Sequence, residues 1–497
     1  MEKIDSSTGA VSSTSVPNMV KEKSGLPFMS LLALVVGSMI GGGIFSLPQN
    51  IAVSASAGPI IIGWGITGIG MICLAFTYQF LSNRKPELDN GVYAYARSGF
   101  GDFVGFNSAW GYWLSALIGN VGYVILLFST IGKFLPIFKG GNTIPAIVCA
   151  SILLWSVHFL ILNGVENAAF INIIATAAKI IPILSFIIIC IVGFKYNLFA
   201  ADFWGGQSTD LGGVVAQTKN MMMVTVWVFI GIEGANVFSK RARQRSDVGK
   251  ATVIGFLVVL ALLVAVNLLS LGIMQRADVA SLGDASMADV LAHAVGSQWG
   301  AWFVSIGVIL SLVGALLAWI LLAAETLMVP GQDGVMPKFF GRMNEKKAPV
   351  NSLWLTDIVT TVILVASFFS KDVYYLMATL SASLILVPYL LSAGYGLLVT
   401  ARGETYVETQ ARGRVSNFVA ALVATLYGFW LLYAAGWQAL LLAALIYLPG
   451  VILYVWAKRE KGDQSLFRPY EWIIFAVLVI AAIAAICNIV NGTISVG

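Results

Sequence analysis

The sequence predicts an all-α integral membrane protein with about thirteen spanning helices, ten of them arranged as two inverted five-helix repeats. Three observations carry this reading. Of the 497 residues, 58% are hydrophobic and only 11% charged, with a mean hydropathy of +0.87, whereas soluble domains average about 25% charged residues. Apolar runs long enough to cross a bilayer, about 20 residues each, recur along most of the chain. Two of those runs are interrupted by glycines and lie five helices apart, the pattern of a five-plus-five inverted repeat with a site at its midplane.

The elements follow in order. Residues 1–25 are rich in Ser and Thr and lack an apolar core, so they read as a disordered cytoplasmic tail without a cleaved signal peptide. Spans are expected at roughly 28–55, 58–82, 100–135, 143–162, 166–194, 220–239, 250–274, 299–329, 351–369, 372–400, 416–435, 437–457 and 471–490. Residues 26–400 form the expected transport core, with repeat one at about 28–194 and repeat two at about 220–400; residues 401–497 hold peripheral helices 11–13. Alternate loops carry most of the basic residues, among them Arg84, Lys85, Lys240, Arg241, Lys346, Lys347, Arg412, Lys458 and Lys461. Positive loops stay inside, so the N-terminus is expected in the cytoplasm of a cell-membrane protein and, for an odd helix count, the C-terminus outside.

Composition also excludes classes. The net charge of +5 comes from short loops between apolar runs, which argues for a lipid bilayer and against a nucleic-acid partner. Cys73, Cys149, Cys190 and Cys487 all fall in apolar runs without paired spacing, and read as buried small hydrophobes rather than a disulfide or metal site. No metal and no cofactor are expected. Gly63-Trp64-Gly65-Ile66-Thr67-Gly68 matches a dinucleotide fingerprint, but it sits inside a span with no preceding strand. His158 and His293 read as helix-end or loop residues. Nothing resembles a hydrolase elbow or phosphate loop, so an enzyme has no support.

The first interrupted span carries Gly37-Ser38-Met39-Ile40-Gly41-Gly42-Gly43-Ile44-Phe45-Ser46-Leu47-Pro48. Glycine costs about 1 kcal/mol against alanine inside a helix, and proline removes a backbone donor. Hydrocarbon offers no partner for the freed groups. The run Gly41–Gly43 therefore reads as a break whose backbone lines a cavity, with the N-terminus of the second half-helix facing an anion. Close helix packing through Gly37 and Gly41 is the alternative.

Glu233 lies in the sixth span between Gly231 and Gly234, a second breakable stretch. A carboxyl group inside the membrane is a functional candidate by default: it can take up a proton or face a cationic ligand. Hydrogen bonding to loosened backbone is the plainer role. Lys179, more than two turns from a helix end, can carry a proton or stand as a fixed cation where a sodium ion might bind; snorkelling is the alternative. Trp227 and Trp319 can each stack on a cationic ligand, although packing is the default role among 14 tryptophans.

These residues resemble the amino acid–polyamine–organocation superfamily, and within it the basic amino acid/polyamine antiporters, the arginine/ornithine exchangers in particular. The strongest pieces are Gly41-Gly42-Gly43-Ile44-Phe45-Ser46-Leu47-Pro48, Trp227-Val228-Phe229-Ile230-Gly231-Ile232-Glu233 and Asp333-Gly334-Val335-Met336-Pro337-Lys338-Phe339-Phe340. The resemblance spans about residues 25–460 and implies a LeuT-type fold. It places the substrate carboxylate on backbone N–H groups around Gly41, Gly42 and Gly43, and the ammonium on carbonyls near Met39 and Trp227–Ile230. It matches Ser115, Ala116 and Asn120 to side-chain contacts, Trp319 to the aromatic that stacks on a guanidinium, and Ser381 to a further contact. Trp227 matches an outer gate, Tyr389 an inner gate, and Lys179 the lysine that replaces sodium in proton-coupled members. Arginine/agmatine exchangers have Gly-Ser-Gly and Ala-Cys where this chain has Gly41-Gly42-Gly43 and Ser115-Ala116, so the side-chain pocket differs.

The resulting expectation is exchange of a cationic amino acid for its metabolite, arginine for ornithine, by alternating access. Proton-coupled uptake, or exchange of an amino acid for its decarboxylated amine (lysine/cadaverine or histidine/histamine), are the rival transport modes. A channel or nutrient sensor is the rival class. The expected partners are a basic amino acid and the bilayer; a homodimer is left open.

Overall fold

A computed structural model describes residues 27–88, 90–164, 168–206, 212–233, 245–406, 413–463 and 465–494. Among these residues the protein is helical throughout, with no strand. The expected tail at 1–25 lies outside them.

Helices α1 (Phe28–Met39) and α2 (Gly43–Ala52) are two halves of one span, bent by 42°. Then come α3 (Ala57–Arg84), the short α4 (Val92–Phe100), α5 (Asp102–Gly132), α6 (Ile144–Leu162) and α7 (Ala168–Gly193). A connection holding α8 (Tyr196–Ala201) leads to α9 (Val214–Trp227), and beyond the break comes α10 (Arg245–Ile273). Two short helices, α11 (Arg276–Ala280) and α12 (Ser286–Val295), precede α13 (Trp299–Gln332), α14 (Val350–Ala366) and α15 (Val373–Arg402). The chain ends with α16 (Arg414–Tyr447), α17 (Gly450–Lys461) and α18 (Pro469–Val490).

The core is organised on α5. It is buried along almost its whole length and packs against α13, α14 and α15. Its run of small and aromatic residues permits contact on every face, as a helix apolar all round requires. By contrast α18 leaves most of its apolar residues exposed, including Ile473, Val477, Ile480 and Ile483, and touches the bundle mainly through α16. Exposed apolar residues on this scale are a lipid-facing surface. Among the described residues nine helices are long and apolar enough to cross a membrane, or ten when α1 and α2 are one span.

The structure departs from the sequence reading at several points. Residues 92–100, expected as loop, form α4; Gly101, at φ 94°, then turns the chain sharply into α5. The connection at about 275–298, expected as loop, is folded into α11 and α12, which pack on α2. At residues 414–447 the expected boundary holds: Gly436, at φ 78° and ψ 158°, breaks the helix between the spans expected at 416–435 and 437–457. Of the cysteines only Cys190 is buried, while Cys487 is exposed on the lipid-facing α18. His158 is neither at a helix end nor in a loop: it lies inside α6, fully buried, with Nδ1 2.6 Å from Asp357 Oδ2. Its partner is 199 positions away, a pairing that local sequence context does not reveal.

Candidate functional site

Helix α1 unwinds where the glycines begin. The Ile40 N–H still reaches Val36 O at 2.9 Å, but the Gly41 N–H turns back onto Met39 O at 2.9 Å. The chain re-enters a helix at Gly43, and first-turn amides have no acceptor within their own helix. Crowding explains why all three positions are glycine. A Cβ on Gly41 would stand 2.3 Å from the Tyr123 hydroxyl, one on Gly42 2.8 Å from Leu126 and Leu312, and one on Gly43 2.8 Å from Val228 and 3.0 Å from Trp227 Nε1. The unwound segment is thus wedged between α5, α13 and the end of α9.

The second break faces the first. Regular α-helical pairing stops at Trp227, and the chain continues through i→i−3 turns, Phe229 to Val226 and Ile232 to Phe229. Gly231 adopts φ 105°, a conformation that favours glycine. Its missing Cβ leaves room for the Ser38 carbonyl at 2.9 Å and the Trp319 ring at 3.2 Å. Ser38 Oγ donates to Gly231 O at 3.0 Å, so the two breaks are joined directly. Residues 234–244, which hold Gly234 and the rest of the sixth span expected at 220–239, lie outside the described residues.

Aromatic layers flank the breaks on both sides. On the α2 side, Trp227 Nε1 donates to the Tyr374 hydroxyl at 3.2 Å, which also lies 2.8 Å from Ser46 Oγ of α2. The Tyr123 ring lies 5.7 Å from the Trp227 ring. On the other side sits Glu233, 2% exposed. Its carboxylate accepts a hydrogen bond from the Tyr112 hydroxyl of α5 and one of 2.6 Å from the Tyr389 hydroxyl of α15. Tyr78 packs edge-on against Tyr389, and Tyr95 stacks on Tyr78, extending this layer to α4. A buried carboxylate demands such donors, and two phenols from different helices make Glu233 a crosslink between α5, α15 and the second break.

Four further expected residues hold distinct states. Lys179 is 1% exposed, and its Nζ donates to Gly37 O at 2.7 Å and Ile40 O at 2.8 Å. It neutralises the carbonyl end of α1, where the helix dipole concentrates negative charge, and the snorkelling alternative fails. Asn120 is fully buried with neither Nδ2 nor Oδ1 bonded. Ser115 and Ser381 are not free: each hydroxyl donates to the other's carbonyl, at 2.9 and 2.7 Å, and the two lie 3.0 Å apart. Met39, Ala116, Ile230 and Trp319 are each 3–6% exposed within the same elements. No group of His, Cys, Asp or Glu able to hold a metal ion occurs among the described residues.

Tyr112, Tyr123 and Tyr374 are the residues that sequence reasoning missed. One signal was available: Tyr112, Ser115, Gly119 and Tyr123 recur at helical spacing on one stripe of α5.

Comparison with known proteins follows from this geometry. The amino acid permease family matches residues 26–450. The chain belongs to that family. An arginine/ornithine antiporter of Pseudomonas aeruginosa is 56% identical to this permease over 93% of its length and 97% of its own. An L-lysine transport protein of Corynebacterium glutamicum is 42% identical, over 94% and 95% of the two chains. An arginine/agmatine antiporter of Chlamydia caviae is 38% identical, over 94% and 97%. With its many apolar helices, the permease is a multi-pass membrane protein.

Proposed function

We propose that this permease exchanges a cationic amino acid for its metabolite, arginine for ornithine, across a cell membrane. The carrying observation is the pair of facing helix breaks, closed on one side by the Trp227–Tyr374 layer and on the other by Glu233 with two phenols. The names of the relatives support arginine and ornithine as the pair. The core at 26–400 carries both breaks, and helices 11–13 flank it.

The roles follow from chemistry. First-turn amides at Gly42 and Gly43 offer donors to the α-carboxylate. The second lone pair of the Met39 carbonyl, whose first takes the Gly41 N–H, and carbonyls around Ile230 offer acceptors to the α-ammonium. Trp319, packed on Gly231, presents a ring face for a guanidinium, and the unpaired Asn120 amide supplies a donor and an acceptor nearby. Every amino acid shares the backbone groups, so the choice of side chain falls to Trp319, Asn120, Ala116 and the Ser115–Ser381 pair.

With a cytoplasmic N-terminus, α2 points outward. Trp227 and Tyr374 then form the outer gate, and Glu233, Tyr112 and Tyr389 the inner one. Opening the inner layer separates Glu233 from its phenols and exposes a carboxylate to the departing cation, which draws the substrate toward the cytoplasm. Exchange requires that the empty carrier switch slowly, and the crosslink at Glu233 resists opening when no cation competes for the carboxylate.

The direct test is counterflow. Proteoliposomes loaded with ornithine are expected to accumulate labelled arginine, and empty vesicles are not. Lys179 favours one second reading, since a lysine on two helix-end carbonyls can also release a proton. That reading requires uptake into empty vesicles driven by a pH gradient alone.

A further inference from the structure

Helices α6 and α14, neither of which carries a break, hold a fully buried His158–Asp357 pair, 2.6 Å between Nδ1 and Oδ2. The Trp354 and Trp155 rings enclose the imidazole at 4.5 and 4.9 Å. A buried ionisable pair adds little stability over packed apolar side chains; its best-attested use is to fix register. The adjacent residue shows what register is fixed. Thr356 Oγ1 accepts the indole N–H of Trp113 at 2.9 Å and donates to Ser352 O at 2.8 Å. Asp357 therefore ties α14 to α6, and Thr356 ties it to α5, from consecutive positions about 100° apart around one helix.

Trp113 follows Tyr112, the phenol that bonds Glu233. Tyr112, Ser115, Ala116 and Asn120 stand on neighbouring stripes of α5, so the azimuth of Trp113 sets the azimuth of all four. A roll of about 10° moves a side chain at the rim of a helix 10–12 Å wide by about 1 Å, and about 1 Å of misplacement costs up to about 100-fold at a preorganised site.

We infer that His158, Asp357 and Thr356 are positioning residues that set the rotation of α5 and with it the side-chain pocket for the exchanged cation. The inference rests on the proposed exchange for its choice of substrate, but the roll of α5 can be read without any substrate.

Two readouts test it. In reconstituted exchange, Thr356→Val is expected to raise the KM for arginine about 3- to 10-fold, the effect of one lost hydrogen bond, and to change the arginine-to-ornithine ratio. Thr356→Ser, which keeps the hydroxyl, restores both. The double variant His158→Leu with Asp357→Leu, which removes the pair without stranding a charge, is expected to shift KM the same way at an undiminished amount of inserted protein. In a full-length chain whose four cysteines are replaced by alanine, Ala116→Cys is alkylated by a small maleimide, and Thr356→Val is expected to change that rate at least about 3-fold. Unchanged KM, ratio and alkylation rate in Thr356→Val overturn the inference, as does a double variant that only lowers protein amount. Should the parent protein exchange no basic amino acid, the proposed function fails and the alkylation rate alone decides the positioning role.

Discussion

The ammonium of Lys179 donates to the carbonyl oxygen of Ile40, the residue at which α1 ends, at 2.8 Å. A second bond, to Gly37 O at 2.7 Å, comes from the same Nζ. The cation thus holds two orphan carbonyls of a broken helix, a place where hydrocarbon offers them nothing. Hydrogen bonds to charged groups contribute about 1.5–3 kcal/mol. Lys179→Met is therefore expected to lower exchange about 10- to 100-fold, with Lys179→Gln intermediate because one donor survives. Sodium added to Lys179→Ser is expected to recover part of the rate, since a monovalent cation can fill the vacated place. Initial rates per mole of reconstituted protein measure all three, and a wild-type rate in Lys179→Met removes the lysine from the mechanism.

Glu233 accepts from two phenols on two helices. Tyr389→Phe and Tyr112→Phe each remove one donor and leave the other in place. Because both bonds serve one carboxylate, the double variant is expected to fall short of the sum of the single effects. Glu233→Gln keeps a similar shape but cannot ionise, so its exchange rate is expected to lose the part of the parent's pH dependence that the carboxylate carries. A pH profile of Glu233→Gln parallel to that of the parent counts against any role for the ionised carboxylate.

Much of this arrangement was legible in the residues themselves. Gly41–Gly43 and Gly231 advertise helix breaks because clustered glycine lowers helix propensity inside a span, and Glu233 and Lys179 stand out because charge in hydrocarbon needs a reason. What stayed hidden depends on distance in sequence. Tyr112 is one of 16 tyrosines until Glu233 is seen beside it. Asp357, a carboxyl inside the expected span 351–369, is by the same rule a candidate that the sequence reading passes over, and only its meeting with His158, 199 positions away, gives it a partner. The helix α4 is obscured by its mixed polar and aromatic pattern and by its nine residues, too few for the apolar run that marks a span. Ser115 and Ser381 match substrate contacts in the resemblance, and what the residues alone do not reveal is that their hydroxyls also bond each other, joining α5 to α15.

The C-terminal end of α2 offers a separate handle. Arg276 donates from Nη1 to Ala52 O, the last residue of α2, at 2.8 Å and from Nε to Asp202 at 3.3 Å. Both side chains are largely buried, at 13% and 20% exposed, so this pair is screened less than a surface one. Arg276→Ala frees the end of α2 and is expected to raise the accessibility of a cysteine placed at Ser46 to a membrane-impermeant thiol reagent several-fold. Asp202→Asn keeps the Ala52 bond and is expected to have the smaller effect. Equal labelling in the parent and in Arg276→Ala excludes the guanidinium as a restraint on α2.

Asn120 separates binding from folding. Both polar atoms of its amide are buried without partners, and an unsatisfied buried polar group costs about 1–3 kcal/mol. Asparagine to leucine is close to isosteric, so Asn120→Leu relieves that cost without opening a cavity. The ligand-free variant is expected to melt several degrees above the parent. A ligand amide or guanidinium that pairs with Asn120 loses those bonds in the variant, so affinity for arginine is expected to fall about 10-fold and the thermal shift produced by arginine to shrink. The two effects have opposite signs, which a purely structural asparagine cannot give: were the amide satisfied internally, Asn120→Leu would lower the melting temperature. Melting curves of the detergent-solubilised protein with and without arginine measure both quantities in one experiment.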